Sequence, residues 1–255
     1  MKMNKTRVIP VLLMLGEGLV KTIKFGNPKY IGDPINAVRI FNEKEVDELV
    51  FLDVEAGIKG EGPKFDLLSD IAEEAFMPMA YGGGISTLDQ IKRLFGLGFE
   101  KVIINSIAYR ELGLIKKAAA VFGSQSIVGA VDVRYAPSGE YELYSSSGRV
   151  REHVSLSDHL VRLTDAGVGE ILINSIDRDG TLSGYDLALL KRTCSQVSVP
   201  VVACGGAGGI RHFVEAVEEA HVSAVAAGSL FVFVGPHRAV LITYPDRDVL
   251  TKSLP

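Results

Sequence analysis

Short runs of β-branched and aliphatic residues alternate along this chain with stretches whose apolar positions recur at helical spacing. The runs at 7–14, 48–53, 78–81, 101–105, 126–132, 170–174, 200–203 and 224–227 have the length and near-continuous apolar character of parallel strands covered on both faces. Between them, Asp33-Pro34 reads as an N-cap followed by a first-turn proline, and Ser86 as the cap of a helix running through Leu88, Ile91 and Leu94. Further helices are predicted at 112–122, 156–166, 187–194 and 210–219. The eighth helix is the hardest to place, because Pro236 and Pro245 bracket the apolar stretch 239–242. Eight strands joined by crossover helices predict an α/β fold, a (βα)8 TIM barrel, formed by residues 1–255 as one domain without linker or charge block.

The pattern repeats. Gly205 follows Gly82 by 123 residues and Ser229 follows Ser106 by the same interval, while the apolar strand at Glu170 follows that at Glu48 by 122. Such an interval predicts two similar (βα)4 halves. Each half carries a glycine turn and a second small-residue turn: Gly82, Gly83 and Gly84 with Asn105-Ser106, then Gly205, Gly206 and Gly208 with Gly228-Ser229. Turns without Cβ atoms let backbone N–H groups approach a phosphate closely, so these residues are candidate phosphate ligands. Two cradles predict a small-molecule ligand with a phosphate at each end.

Composition narrows the partners. A formal net charge of −4 over 255 residues gives no electrostatic reason to expect nucleic acid. The apolar run 8–15 contains Pro10, is too short to span a bilayer and reads as a buried strand, so no membrane partner is expected. Cys194 and Cys204 lack metal-site spacing; no metal and no cofactor are expected, and a reducing cytoplasm fits the cysteine usage.

Residues at strand C-termini would line the barrel mouth. Asp132 ends the fifth strand and is a candidate proton carrier, the alternative being a turn cap. Asp53, Asp177 and Lys21 stand on the same rim as candidate substrate ligands, with Lys21 either reaching over a ligand or simply solvated. Arg178 and Asp179 either join them or pair with each other. At the opposite end, Arg7, Glu48, Lys101 and Glu170 precede strands one, two, four and six with alternating signs, a pattern predicting a ring of salt bridges. Near the starts of the two halves the interval is about 119, which maps Asp132 onto position 13; this is Leu13, a residue that neither donates nor accepts a proton.

The segments Asp47-Glu48-Leu49-Val50-Phe51-Leu52-Asp53, Gly82-Gly83-Gly84-Ile85, Phe122-Gly123-Ser124-Gln125, Ile176-Asp177-Arg178-Asp179-Gly180-Thr181 and Gly205-Gly206-Ala207-Gly208 together resemble the cyclase subunit of imidazole glycerol phosphate synthase. The resemblance spans nearly the whole chain. It implies a cytoplasmic lyase-type barrel that binds a bisphosphate substrate and receives ammonia from a glutaminase partner docked at its base. Arg7, Glu48, Lys101 and Glu170 match that family's ammonia gate, and Asp132 and Lys21 match catalytic positions. The family's other catalytic aspartate follows the first strand, where this chain has Leu13. Losing a general acid or base commonly lowers the rate on the order of 10²–10⁴-fold. The segment 231–238 also departs from the family pattern. Both departures resemble a paralogue group that supplies ammonia for amidation in surface-sugar biosynthesis. Three functions remain open: that repurposed synthase subunit, the cyclase of histidine biosynthesis, and a non-catalytic scaffold that activates a glutaminase.

Overall fold

A computed structural model describes residues 6–254. Its barrel strands are β1 (Arg7–Leu15), β2 (Leu49–Asp53), β3 (Met79–Gly82), β4 (Lys101–Ile104), β5 (Ile127–Tyr135), β6 (Glu170–Ser175), β7 (Val201–Cys204) and β8 (Ala224–Ala227). Each pairs in parallel with the next, and β8 pairs with β1 to close an eight-stranded TIM barrel. Closure removes both sheet edges, so no strand is left with an unpaired ladder.

Among the described residues, eight helices of seven or more residues cover the outside: α1 (Pro34–Glu43), α2 (Phe65–Glu74), α3 (Leu88–Gly96), α4 (Leu112–Phe122), α5 (Leu156–Ala166), α6 (Leu187–Cys194), α7 (Ile210–Ala220) and α8 (Arg247–Ser253). Asp33 caps α1 as its side chain accepts from Asn36 N at 2.9 Å, with Pro34 in the first turn. Ser86 is not the cap of α3. Thr87 is, because the Gln three residues on completes a reciprocal capping box that Ser86 is one residue too early to form. The sequence pattern left α2 without a helix assignment. The last helix lies beyond Pro245, while residues 239–242 are extended: Phe233–Val234 pairs antiparallel with Ala239–Val240. Among the described residues no helix is long and apolar enough to cross a membrane.

Side chains alternate along each strand between two cores. Outward residues such as Leu12, Phe51, Tyr81 and Ile173 pack under the helices. Inward residues Ile9, Val11, Val50, Ala80, Ile103, Val128, Leu172 and Val202 fill the barrel itself. The strand spacing of two residues thus carries Arg7, Glu48, Lys101 and Glu170 to one end of the interior and Asp132, Asn174 and Leu13 to the other.

Two antiparallel hairpins rise over the mouth. One follows β1, pairing Gly18–Ile23 with Gly26–Gly32; the other continues β5, pairing it with Tyr141–Ser145 and then Val150–Glu152. Their positions agree with the half-repeat, since each grows from the first strand of its half. This extension is why β5 ends at Tyr135, three residues past the end expected from the apolar run.

Candidate active site

At the base, the four charges close into a ring. Arg7 bonds to Glu48 and to Glu170, and Lys101 Nζ sits 2.9 Å from an oxygen of each carboxylate. Both glutamates are buried, at 4% and 5% exposure, so each depends on its two cations. Removing one partner from such an arrangement strands a buried charge, typically at about 3–5 kcal/mol. Immediately inside the ring lies a cavity of about 10 Å³ bounded by Glu48, Glu170 and the apolar side chains of Ile9, Val50, Ile103, Val128, Leu172, Val202 and Ala226. That volume matches one water-sized molecule.

The mouth holds a pocket of about 550 Å³. Asp132 stands on its floor, with Asn105 Nδ2 donating to Oδ2 at 2.9 Å and Asn174 Nδ2 to Oδ1 at 3.3 Å. Burial pushes the Asp132 carboxyl up to about 7, against the pull of these amide donors. Lys21 is only 5% exposed. Its ammonium donates to the Val11 carbonyl, and burial brings its pKa down to about 8 while Asp179 resists the fall. Asp179 in turn accepts from Thr22 Oγ1 at 3.1 Å, and burial raises its pKa against Lys21. A carboxyl and an ammonium with pKa values brought towards neutrality therefore line one pocket.

Glycine turns flank the floor. Gly83 and Gly84 take φ of 134° and 64°, and Gly205 and Gly206 take 84° and 116°, so each half places two left-handed glycines after its strand, although at the 123-residue interval only Gly83 and Gly206 correspond. A Cβ on Gly83 would lie 2.6 Å from the Asp53 carbonyl oxygen, and one on Gly206 would lie 2.2 Å from the Gly184 carbonyl oxygen. Both turns thus need bare backbone.

The comparisons with known proteins follow this geometry. A family profile described as "Histidine biosynthesis protein" matches residues 7–235. A Pseudomonas aeruginosa protein provisionally named imidazole glycerol phosphate synthase subunit hisF2 is 53% identical over 248 residues, covering 97% of this chain and 99% of its own length. The chain belongs to the HisF family of imidazole glycerol phosphate synthase subunits. Other HisF relatives agree. A provisionally named HisF of Leptospira borgpetersenii is 46% identical over 96% of each chain. The imidazole glycerol phosphate synthase subunit HisF of Alkaliphilus metalliredigens is 40% identical over 88% of this chain and 89% of its own.

Within this HisF-family chain, Asp132, Lys21, Asp53, Gly82, Gly83, Gly84, Asn105, Ser106, Gly205, Gly206, Gly228 and Ser229 all line the mouth pocket. Two sequence candidates do not. Asp177 accepts from Tyr135 N at 2.8 Å and lies 3.9 Å from Arg134, fastening the end of β5 instead of facing the pocket. Gly208 gives its N–H to His212 Nδ1 at 2.9 Å and packs against Leu182, so that amide is spent inside the protein. Asp53 lines the pocket, yet its Oδ1 accepts from the N–H groups of Glu55 and Ala56 at 2.9 Å and fixes the loop after β2. Arg178 and Asp179 do not pair: Arg178 reaches Ser183, and Asp179 turns inward to Thr22. Lys21 is not a solvated loop lysine but a buried residue on a hairpin strand. Asn174 is a pocket residue that motif reading missed, although the inward alternation Glu170, Leu172, Asn174 carried its signal. Asp179, left open between ligand and ion pair, lines the pocket.

Proposed function

We propose that this HisF-family subunit takes ammonia from a glutaminase partner at the barrel base and delivers it to a phosphorylated ligand in the mouth. The reaction served is an amidation in surface-sugar biosynthesis, in place of histidine-type ring closure. One observation carries this reading: the charged ring at the base is complete, whereas the mouth presents Leu13 where the half-repeat maps Asp132.

Ammonia is the species suited to the route. Neutral ammonia crosses an apolar interior at far smaller desolvation cost than ammonium. The ring gives it an entrance that opens when Lys101 leaves its two carboxylates, and the 10 Å³ cavity behind the ring is of its size. At the other end, Gly82–Gly84 with Asn105-Ser106 hold one phosphate and Gly205–Gly206 with Gly228-Ser229 hold the other. As ammonia adds to an electrophilic carbon–heteroatom double bond of the acceptor, the π pair moves onto the heteroatom and Asp132, poised near 7, takes the proton that the nitrogen releases, while Lys21 neutralises charge at the second cradle. With Leu13 opposite, no second carboxyl returns a proton on the far side, so steps that need acid and base together are slow. The subunit works in the cytoplasm, where glutamine and phosphorylated sugars are available.

The test is a steady-state assay of the purified chain with the HisF family's bisphosphate substrate and excess ammonium salt, alongside calorimetric binding. Binding without robust turnover is the expected outcome. Turnover at a rate that supports histidine synthesis would assign the chain to that pathway, a reading that the intact Asp132 and Lys21 environment favours. Failure to bind the bisphosphate would leave only the scaffold reading.

A further inference from the structure

The segment 231–243 follows β8, and ammonia delivery leaves it without a task. It forms a small tied hairpin. Leu241 N donates to Val232 O at 2.9 Å and Thr243 N to Phe231 O at 2.8 Å, bringing the chain back along itself just after β8. The turn closes with Arg238 N donating to Gly235 O at 3.1 Å. Arg238 itself adopts φ 50°, a left-handed conformation that costs a non-glycine residue about 1–2 kcal/mol.

Its side chain accounts for that strain. The Arg238 guanidinium donates to Gly180 O at 3.0 Å and to Ser229 Oγ at 3.4 Å, and its carbon lies 4.6 Å from the Phe233 ring centroid. Lys29 lies 5.2 Å from the same centroid and donates to the Arg238 carbonyl at 3.3 Å. Gly180 and Ser229 both line the mouth pocket, so the guanidinium is held at the pocket rim beside the β8 turn. A guanidinium has five N–H donors and two are used here. Because Ser229 Oγ accepts from Arg238, its hydroxyl hydrogen is left to donate elsewhere. On the other side of the same turn stands Lys21, whose Nζ abuts Gly228. Two cations therefore flank one glycine-serine turn, with Asp179 as the nearby buried acid.

We infer that Arg238 is an anion-binding residue of the β8 cradle, and that the hairpin at 233–240 makes this end of the pocket selective for a terminal phosphate monoester dianion. The inference rests on the reading of the glycine turns as phosphate cradles. A hydroxyl or amide group needs no second cation at this rim, whereas a dianion does, and a planar fork suits phosphate geometry. The β3 and β4 turns, which form the other cradle, have no counterpart of this hairpin.

The experiment uses inorganic phosphate as probe and residue-resolved amide shifts as readout, following Gly228 and Ser229 for one cradle and Gly83 and Gly84 for the other. In the unmodified chain both pairs shift saturably. Arg238→Met keeps the aliphatic stem over Phe233 and is expected to weaken phosphate at Gly228-Ser229 at least about tenfold, with Gly83-Gly84 essentially unchanged. Arg238→Lys keeps the charge but not the fork and is expected to weaken the same end several-fold; it decides the question should the methionine variant fail to fold. Unchanged affinity at Gly228-Ser229 in a folded variant overturns the role of Arg238 while leaving the cradles intact. Absence of saturable shifts at either pair in the unmodified chain overturns the cradle reading, and this inference with it.

Discussion

Leu13 and Asp132 face one another because strands one and five of an eight-stranded barrel lie across its diameter, and both residues fall on the inward phase of their strands near the mouth. The difference between them is chemical. Asp132 is buried, doubly hydrogen-bonded and poised near neutrality, whereas Leu13 offers only apolar surface against Leu52. Replacing Leu13→Asp restores a titratable group at the wall where the half-repeat lacks one. Ammonia-dependent turnover of the bisphosphate is expected to rise on the order of 10²-fold or more. The same substitution removes packing and is expected to lower the urea midpoint, by a stability loss of about 2 kcal/mol. Turnover that does not rise in a folded Leu13→Asp chain would mean that position 13 is not what limits the chemistry. At this scale Asp132 and the glycine turns were legible in the sequence, since each follows an apolar run at the mouth, whereas Lys21, left open between a ligand and a solvated loop residue, sits within a hairpin strand. The inward turn of Asp179 was not legible. Its neighbour Asp177 shares the same short motif, and only the folded loop decides which of the two carboxylates turns inward.

The eight barrel strands stood out as apolar runs, but the two hairpins that roof the mouth did not, for a reason written in their turns. Two-residue hairpins usually announce themselves through Asn-Gly or Asp-Gly, which tolerate positive φ. Here the two-residue turn Lys24-Phe25 takes φ of 51° and 64°, and Ser146 and Ser147 in the four-residue turn 146–149 take 51° and 56°, with no such dipeptide. Tertiary bonds hold them: Lys24 N donates to Asp179 O at 2.9 Å, Ser146 N to Ser106 Oγ at 3.0 Å, and Ser147 Oγ to Val54 O at 2.7 Å. The loops of the mouth are therefore clasped to the hairpins that cover them. Gly180 is central to the clasp, because a Cβ there would collide with the Thr22 carbonyl and its φ is 71°. Gly180→Ala is expected to push the first hairpin off the β6 loop, displacing Lys21. Faster amide exchange at 19–25 and at least about tenfold weaker bisphosphate binding are the expected readouts, with near-native circular dichroism. Unchanged exchange in that segment would show that the hairpin docks independently of the loop.

Across the whole molecule, the two ends of the barrel perform different work on a shared interior. The charged residues at the base stand before apolar strands with alternating signs, and that pattern predicted a salt-bridge ring once the strands were taken to close into a barrel. The ring forms because the barrel brings strands one, two, four and six round to a common axis. The half-repeat was likewise plain at this scale and correctly predicted the barrel. The central claim is that nitrogen reaches the mouth through the ring. It is tested most directly by supplying the subunit and its glutaminase with glutamine carrying ¹⁵N in the amide, in an excess of ¹⁴N ammonium, and measuring the isotope in whatever aminated product accumulates. Because the readout is a ratio, slow turnover does not obscure it. Transit through the ring predicts product dominated by ¹⁵N, with that share falling in Lys101→Ala; product matching the isotopic composition of bulk ammonium, with no change in the variant, would contradict the account.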